Sequence, residues 1–429
     1  MNREYIANVK PGNKYRISGF VENLRNKRTM AFLVIRDVTG KLQVTVEKEK
    51  LPELAAKIDT LTLHSVVSFE GEVVANEYVK MGGIEMLPEK LDVESIAEAL
   101  PIQDDSEIDS KMDFRWIDMR RPQNQLMMRM QTTLTAAVRE FLLARDFTEI
   151  HTPKLIGAAS ESGSEVFEVK YFDTKAYLAQ SPQFYKQMAM ASGLDRIFET
   201  GPVFRAEKSY TNKHATEFTG IDLEFSYVYS CEEVMHMEEE LLAYAFAKVA
   251  EKHGEEIREL FGKEVIVPTV PFPRIKLCDL YRELEERYDY KVSDEVKGDL
   301  TTDAEHLCAK LSMDKFGSEF LFVTDYDAKE RAFYHMRDER GVPMGYDLIW
   351  RGCEITTGAV REHRYEVLKK QADEKGLGKD VEFYLQFFRY GCPPHGGFGL
   401  GLDRLTMLFL GLSIKEAEFL FRGPNRLTP

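Results

Sequence analysis

The sequence predicts an α+β protein: a small all-β barrel first, then a larger domain that mixes strands with long helices. Three strand patterns, a short helix and two further strand patterns fall within the first 91 residues, the element order of a small OB-type barrel. Beyond an acidic, irregular stretch at 92–110, strands and long helices follow without the regular βαβ alternation of a doubly wound fold. A length of 429 residues is ample for two or three hydrophobic cores.

Residues 14–24 (KYRISGFVENL) alternate apolar and polar as a half-buried strand does. MAFLVIRD (30–37) and KLQVTVE (41–47) read as two more strands, with a turn at Thr39-Gly40. A short helix is expected around 50–60, and SVVSFEGEVVA (65–75) and IEMLPEKL (84–91) complete the set. Barrels of this kind bind single-stranded nucleic acid through a charged face with exposed aromatics. After the hinge, Leu126, Met130, Leu134, Val138 and Phe141 recur at helical spacing, which predicts an amphipathic helix over 123–145. FTEIHTP (147–153) leads into a strand that Pro153 ends, and 231–252 reads as a long helix.

Composition narrows the function classes. No apolar run approaches the roughly 18 residues that span a bilayer, so no membrane role is expected. The opening MNREYIANVKPG lacks the apolar core of a secretory signal. Cys231, Cys278, Cys308, Cys353 and Cys392 are scattered without a CxxC pair, as suits reduced thiols in a cytoplasm rather than a disulfide framework or a zinc site. A net charge of −15 opposes nucleic-acid binding, which phosphate neutralisation dominates. Residues 1–50, however, carry eleven Lys/Arg against five Asp/Glu, so a basic end on an acidic body keeps local nucleic-acid binding open.

No GxxxxGK[ST] is present, and no GxGxxG follows a strand and opens a helix. Instead GGFGLGLDRLTMLFLG (396–411) runs four glycines into Arg404 and an apolar helix. Such a loop lets a ligand approach the backbone, with the guanidinium plane free to stack, and it also reads as a plain turn. GPVFRAEKSYTNKHATEFTGIDLE (201–224) reads as an antiparallel hairpin. One strand bears Arg205 and Glu207 pointing the same way, and the other bears Phe218, Asp222 and Glu224. Alone it is equally a surface ion-pair hairpin.

In order, the Pro-terminated helix and strand, the FRxE hairpin and the GLGLDR stretch resemble the three motifs of class II aminoacyl-tRNA synthetases. With the N-terminal barrel they look like the aspartate, asparagine and lysine subgroup, in detail its aspartate branch of archaeal and eukaryotic type. The resemblance covers essentially the whole chain: RRP (120–122), FTEIHTPKL, YLAQSPQFYKQMAMASGLDRIFE (177–199), DLIWRGCEITTG (347–358), REHR (361–364) and FRYGCPPHGGFGLGLDRL (388–405). It implies an OB-fold anticodon-binding domain at 1–95, a hinge at 96–121 and a class II catalytic domain at 122–429, built on an antiparallel sheet flanked by helices. Motif 1 falls near 123–153, motif 2 near 201–224 and motif 3 near 396–411.

The family's roles transfer residue by residue. Arg205 would bind the α-phosphate of ATP and the reacting carboxylate, Glu207 the adenine amino group, and Phe218 and Arg404 the two faces of the adenine. Lys213, His214 and Ala215 would lie in the hairpin loop near the outer phosphates, and Gly401, Leu402 and Asp403 beside the nucleotide. Glu354, supported by Thr357, would hold Mg²⁺ through hard oxygen ligands. For the amino acid, Ser181, Gln183, Phe184 and Tyr185 surround Lys186, which with Arg361 would grip an aspartate side chain. Asp222 would face the substrate ammonium and Glu161 would belong to a closing loop. Arg25, Phe32, Gln43 and Glu85 would meet the anticodon, although Phe32 is also readable as barrel core. Arg25, Lys27 and Arg28 would hold backbone phosphates, as a solvated hairpin tip also would.

The resemblance thus implies a cytoplasmic homodimer, paired through the 123–145 helix and its strand. It would join L-aspartate to tRNA(Asp), or to tRNA(Asn) as well, with Glu22 on a loop that influences that choice. GAVRE (358–362) departs from the family's GGQRE-like string at Ala359 and Val360, Thr357 stands where Ser is common, and the tail FRGPNRLTP is atypical. The competing readings are an asparagine–tRNA ligase, opposed by Lys186, and a non-catalytic tRNA-binding paralogue, opposed by the four nucleotide groups. An ammonia ligase on the same catalytic fold would leave the barrel without a task.

Overall fold

The computed structural model describes residues 1–157, 166–208, 211 and 213–429. The chain forms two compact units, Met1–Ile117 and Asp118–Pro429. In the first, β1 (Asn13–Asn26), β2 (Met30–Arg36), β3 (Lys41–Glu47), helix α1 (Pro52–Ile58), β4 (Val66–Ala75) and β5 (Ile84–Ser95) make a closed barrel of strand order β1-β2-β3-β5-β4. Alternation along β2 turns Ala31, Leu33 and Ile35 into the core and leaves Met30, Phe32 and Val34 half-buried on the outside. Phe32 is therefore outer face and not barrel core. The acidic stretch expected to be irregular from 92 is still strand to Ser95.

The second unit opens with helix α2 (Pro122–Leu143), started by Pro122 in its first turn. Leu126, Met130, Leu134, Val138 and Phe141 are all buried, so the periodicity marked the core face. A two-residue strand β6 (Thr148–Glu149) replaces the longer strand expected at 147–153, because only this segment pairs with the sheet edge. Helix α3 (Gln183–Ala191) precedes the hairpin of β7 (Arg196–Phe204) and β8 (Glu217–Ser226). Helix α4 (Cys231–Phe261) begins with a Ser230–Glu233 capping box and ends at left-handed Gly262. It continues well past 252 because it tolerates Gly254 while burying His253 and Ile257.

Strand β9 (Arg274–Lys276), helix α5 (Thr302–Phe316), β10 (Phe320–Thr324), β11 (Gly345–Trp350), β12 (Cys353–Arg361), β13 (His395–Gly401) and helix α6 (Leu402–Leu410) follow. The eight-stranded sheet has the order β9-β10-β11-β12-β13-β8-β7-β6, antiparallel except at its two edge pairs. Helices α2, α4 and α6 pack with one face of this sheet in a single core that includes Phe246, Trp350, Phe398 and Leu405. The other face carries the site.

Candidate active site

Register explains how remote strings meet. One cross-strand row runs Glu199–Asp222–Gly399–Thr357–Asp347 over β7, β8, β13, β12 and β11, and the next runs Ile197–Glu224–Gly397–Ala359–Gly345. Residues in a row share a face, so Asp222 and Glu224 stand over Gly399 and Gly397. The glycine-rich string, expected as a loop, is thus a strand, and the reason is space. A Cβ on Gly397 would lie 2.1 Å from Leu223 O and 2.6 Å from Glu224 Oε2, and one on Gly399 would lie 2.7 Å from Asp222 Oδ1.

Helix α3 delivers Lys186 onto these carboxylates. Its Nζ is 2.9 Å from Asp222 Oδ1 and 3.5 Å from Glu224 Oε2, with 2% of the side chain exposed. Arg361, at the end of β12, donates from Nε to Glu224 Oε1 at 2.9 Å and from Nη2 to Gly397 O at 3.0 Å. Burial would raise the Glu224 carboxyl, but Arg361 and Lys186 outweigh it and hold it below the usual range. Lys186 and Arg361, expected to grip an aspartate side chain, are thus each already paired with a carboxylate of β8. Asp222, expected to face a substrate ammonium, faces Lys186.

The phase of α3 turns Gln183 and Lys186 to the cavity, with Ser181 preceding them. Phe184 stacks on Tyr384 at 4.4 Å in a separate apolar cluster, and neither it nor Tyr185, both expected beside the amino acid, lines the cavity. Glu161 lies outside the described residues. Ala359 and Val360 are fully buried, Ala359 between Gly345 and Gly397 in the floor row and Val360 in the core on the opposite face.

The nucleotide candidates line the same cavity: Arg205, Glu207, Lys213, His214, Ala215, Phe218, Glu354, Thr357, Gly401, Asp403 and Arg404. Arg205 and Glu207 are not on a strand, since β7 ends at Phe204, although Arg205 N still donates to Thr216 O at 2.9 Å. The Arg205 guanidinium lies 5.4 Å from the Phe218 ring centre. Arg404, in the first turn of α6, donates to Glu354 O at 2.7 Å. The Leu402 side chain turns into the core and does not line the cavity. Asp403 Oδ2 accepts Thr219 N–H at 2.7 Å, which ties β8 to the start of α6. Burial lowers His214 to about 4, helped by Arg404, Lys213 and Arg205, so its imidazole is neutral at pH 7.

Asp347, Arg331 and Glu305 also lie in or beside the cavity and were not singled out from the sequence. Asp347 is held by Arg331, with Nη1–Oδ1 at 2.8 Å. Thr357 Oγ1 is shared between Asp347 Oδ1 at 2.9 Å and Glu354 Oε1 at 3.1 Å. Burial, then repulsion by Asp347, pushes the Glu354 carboxyl up to about 7. Two carboxylates and a hydroxyl are hard donors, and among the described residues no group of three acidic, His or Cys side chains is arranged to hold a metal ion by itself. This set fits Mg²⁺ as an ion shared with substrate phosphates rather than one caged by protein alone.

On the barrel, Arg25 pairs across to Phe32 and Phe32 to Thr45, while Val34 pairs to Gln43 and Gln43 to Glu85. The four anticodon candidates therefore share one outer face. Gln43 Nε2 donates to Glu85 Oε2 at 3.0 Å. Glu22, expected on a loop, is in β1 at a bulge and pairs with Lys41 and with Arg36 at 2.8 Å.

Residues 107–421 match the class II tRNA synthetases for D, K and N, and residues 15–94 match the OB-fold nucleic-acid-binding anticodon family. The chain is a class II tRNA synthetase. The synthetase is 40% identical, over 99% of both chains, to a Methanopyrus kandleri protein named aspartate–tRNA(Asp/Asn) ligase. It is 39% identical, over 97% of both, to a Pyrococcus abyssi aspartate–tRNA(Asp) ligase. Among solved structures, asparaginyl-tRNA synthetase of Pyrococcus horikoshii with asparaginyl-adenylate superposes with TM-score 0.92 at 34% identity over all of both chains. Aspartyl-tRNA synthetase of Entamoeba histolytica gives 0.86 at 30% over 98% of this chain and 90% of that one. No described helix of the synthetase is long and apolar enough to cross a membrane, and all five cysteines are free thiols.

Proposed function

We propose that the protein is an aspartate–tRNA ligase, which forms aspartyl-adenylate from ATP and L-aspartate and transfers aspartate to the 3′ end of tRNA(Asp). The observation that carries this reading is the buried Lys186–Asp222–Glu224–Arg361 cluster beside the nucleotide end of one cavity. In the reaction an oxygen of the aspartate α-carboxylate bonds the α-phosphorus as the bond to pyrophosphate breaks. Two anions meet, so positioning and positive charge do most of the work and no general base is required. Arg205, 42% exposed and next to Phe218, bridges the α-phosphate and the carboxylate, a charge-assisted bond of roughly 1.5–3 kcal/mol. Phe218 and Arg404 enclose the adenine and Glu207 reads its amino group. Mg²⁺ held by Glu354 and Asp347, with Thr357 orienting them, would neutralise phosphate charge. Lys186 and Arg361 receive the aspartate side chain, and Arg25, Phe32, Gln43 and Glu85 read the anticodon by stacking and edge hydrogen bonds. A cytoplasmic homodimer paired through α2 belongs to the same proposal, and sedimentation of the purified protein tests the dimer.

The likeness to an asparaginyl enzyme favours one rival, an asparagine–tRNA ligase. ATP–pyrophosphate exchange with each amino acid separates them: exchange with asparagine and not aspartate reverses the assignment. Charging of tRNA(Asn) as well as tRNA(Asp) is the second arm, since the relatives are named in both ways. Aminoacylation of the two purified tRNAs decides it. The same low background of charging in the parent and in Arg205→Ala would instead favour a non-catalytic tRNA-binding protein.

A further inference from the structure

Helix α5 belongs to none of the three motifs, yet it brings a carboxylate to the nucleotide end of the cavity. Thr301 caps it, its hydroxyl accepting Ala304 N–H at 3.2 Å, and Glu305 sits in the first turn. The Glu305 side chain is 9% exposed, and its two oxygens lie 2.9 and 2.8 Å from Lys213 Nζ. Oε2 also accepts the Glu354 N–H at 3.1 Å. One carboxylate therefore joins the hairpin-loop cation to the strand that carries Glu354. The helix comes this close because residue 352 is glycine: at φ +77° it has no Cβ, and one there would stand 3.1 Å from His306 Cα.

As charge alone, an acid beside a phosphate site is counterproductive, because it cancels part of a cation the phosphates could use. As geometry it is useful. A lysine ammonium is a point charge on a flexible stem, and groups fixed in advance where charge develops act on the transition state. We propose that Glu305 is a positioning residue for amino-acid activation, holding Lys213 at the outer-phosphate end of the cavity against the Glu354 strand. This rests on the ligase reading above. A misplaced Lys213 costs rate more than ground-state binding, so the loss falls on kcat and not on the ATP KM.

The test is ATP–pyrophosphate exchange with aspartate by the full chain and by Glu305→Gln, Lys213→Ala and their double variant. Glu305→Gln keeps an oxygen for the Glu354 N–H and removes the negative charge, with one of the two acceptor oxygens, that holds Lys213. Each single change is expected to lower kcat about tenfold with ATP KM moving less than about threefold, and the double variant to be no worse than the singles. Glu305→Asp, which keeps the charge and shortens the reach, is expected to lose part of the same kcat. Full kcat in Glu305→Gln or Glu305→Asp overturns the proposal, as do multiplicative losses in the double variant. Tighter ATP binding with unchanged kcat also overturns it, since Glu305 would then only mask a phosphate cation. Exchange by the parent separates the two failures. With it present, unaffected variants overturn the positioning role alone; its absence overturns the ligase reading and the positioning role together.

Discussion

Replacing Lys186 by methionine keeps most of the stem and removes the ammonium from a buried group of four charges. In the parent, Lys186 and Arg361 balance Asp222 and Glu224, and an incoming aspartate side chain adds one negative charge to a neutral cluster. In the variant the cluster is already negative, with Asp222 stripped of the partner at 2.9 Å. One lost charge-assisted bond is worth roughly 1.5–3 kcal/mol, which lowers kcat/KM for aspartate by about 10–150-fold. Asparagine brings no charge and should lose less, so the aspartate preference over asparagine shrinks with it. Breaking a buried pair also costs about 3–5 kcal/mol of stability, so thermal melting precedes the assay and exchange is measured where the variant is folded. A folded Lys186→Met protein with aspartate kcat/KM within about threefold of the parent would refute the reasoning.

Gly399→Ala drives a methyl to 2.7 Å from Asp222 Oδ1 and should raise the aspartate KM with modest destabilisation. Gly397→Ala meets backbone at 2.1 Å and should cost about 1–3 kcal/mol or more, read by denaturant unfolding. Equal stability of the two variants would contradict the packing account. Phe32→Ala should weaken tRNA binding by about 1–3 kcal/mol and leave ATP–pyrophosphate exchange unchanged, because the side chain lies on the barrel's outer face. Glu238, fully buried with Tyr346 Oη 2.7 Å from Oε2, is pushed up to about 8 by burial. The folded form then binds more protons than the unfolded chain between about pH 4.5 and 8, and stability falls as pH rises through that window. Glu238→Gln should therefore gain in melting temperature over the parent from pH 5 to pH 8.5, and a pH-independent difference would count against the buried-acid assignment.

Local patterning made the barrel and helix α2 legible, because each element buries a face whose period is written in consecutive residues. Met30–Arg36 and Lys41–Glu47 could be placed to a residue or so for that reason. The limits of α4 and β6 were not legible, since a Gly254 inside a helix and the loss of edge pairing after Glu149 depend on tertiary partners. The site divided in the same way. Arg205, Glu207, Phe218, Glu354 and Arg404 stand in strings with a shape of their own. Arg331 stands in no such string, and Glu305 becomes visible only once α5 is seen to abut the β11–β12 turn. Glu224 was placed on the right face by alternation, but its partner Arg361 lies 137 residues away and only register brings them together.

Register also changes what selectivity for an acidic amino acid means here. Two cations at the end of a pocket would attract any anion, and a sequence alone invites that picture. In the folded chain each cation is bound to a carboxylate of β8, and those carboxylates occupy the volume vacated by the glycines of β13. The reading of the substrate is then a property of the cluster's net charge and of the glycine strand that makes room for it. A side chain at 397 or 399 would move Glu224 or Asp222 and so change the field at Lys186 without touching either cation. Substitutions in motif 3 should consequently alter amino-acid KM as well as ATP KM, an outcome that a two-cation pocket separate from the glycine strand does not predict.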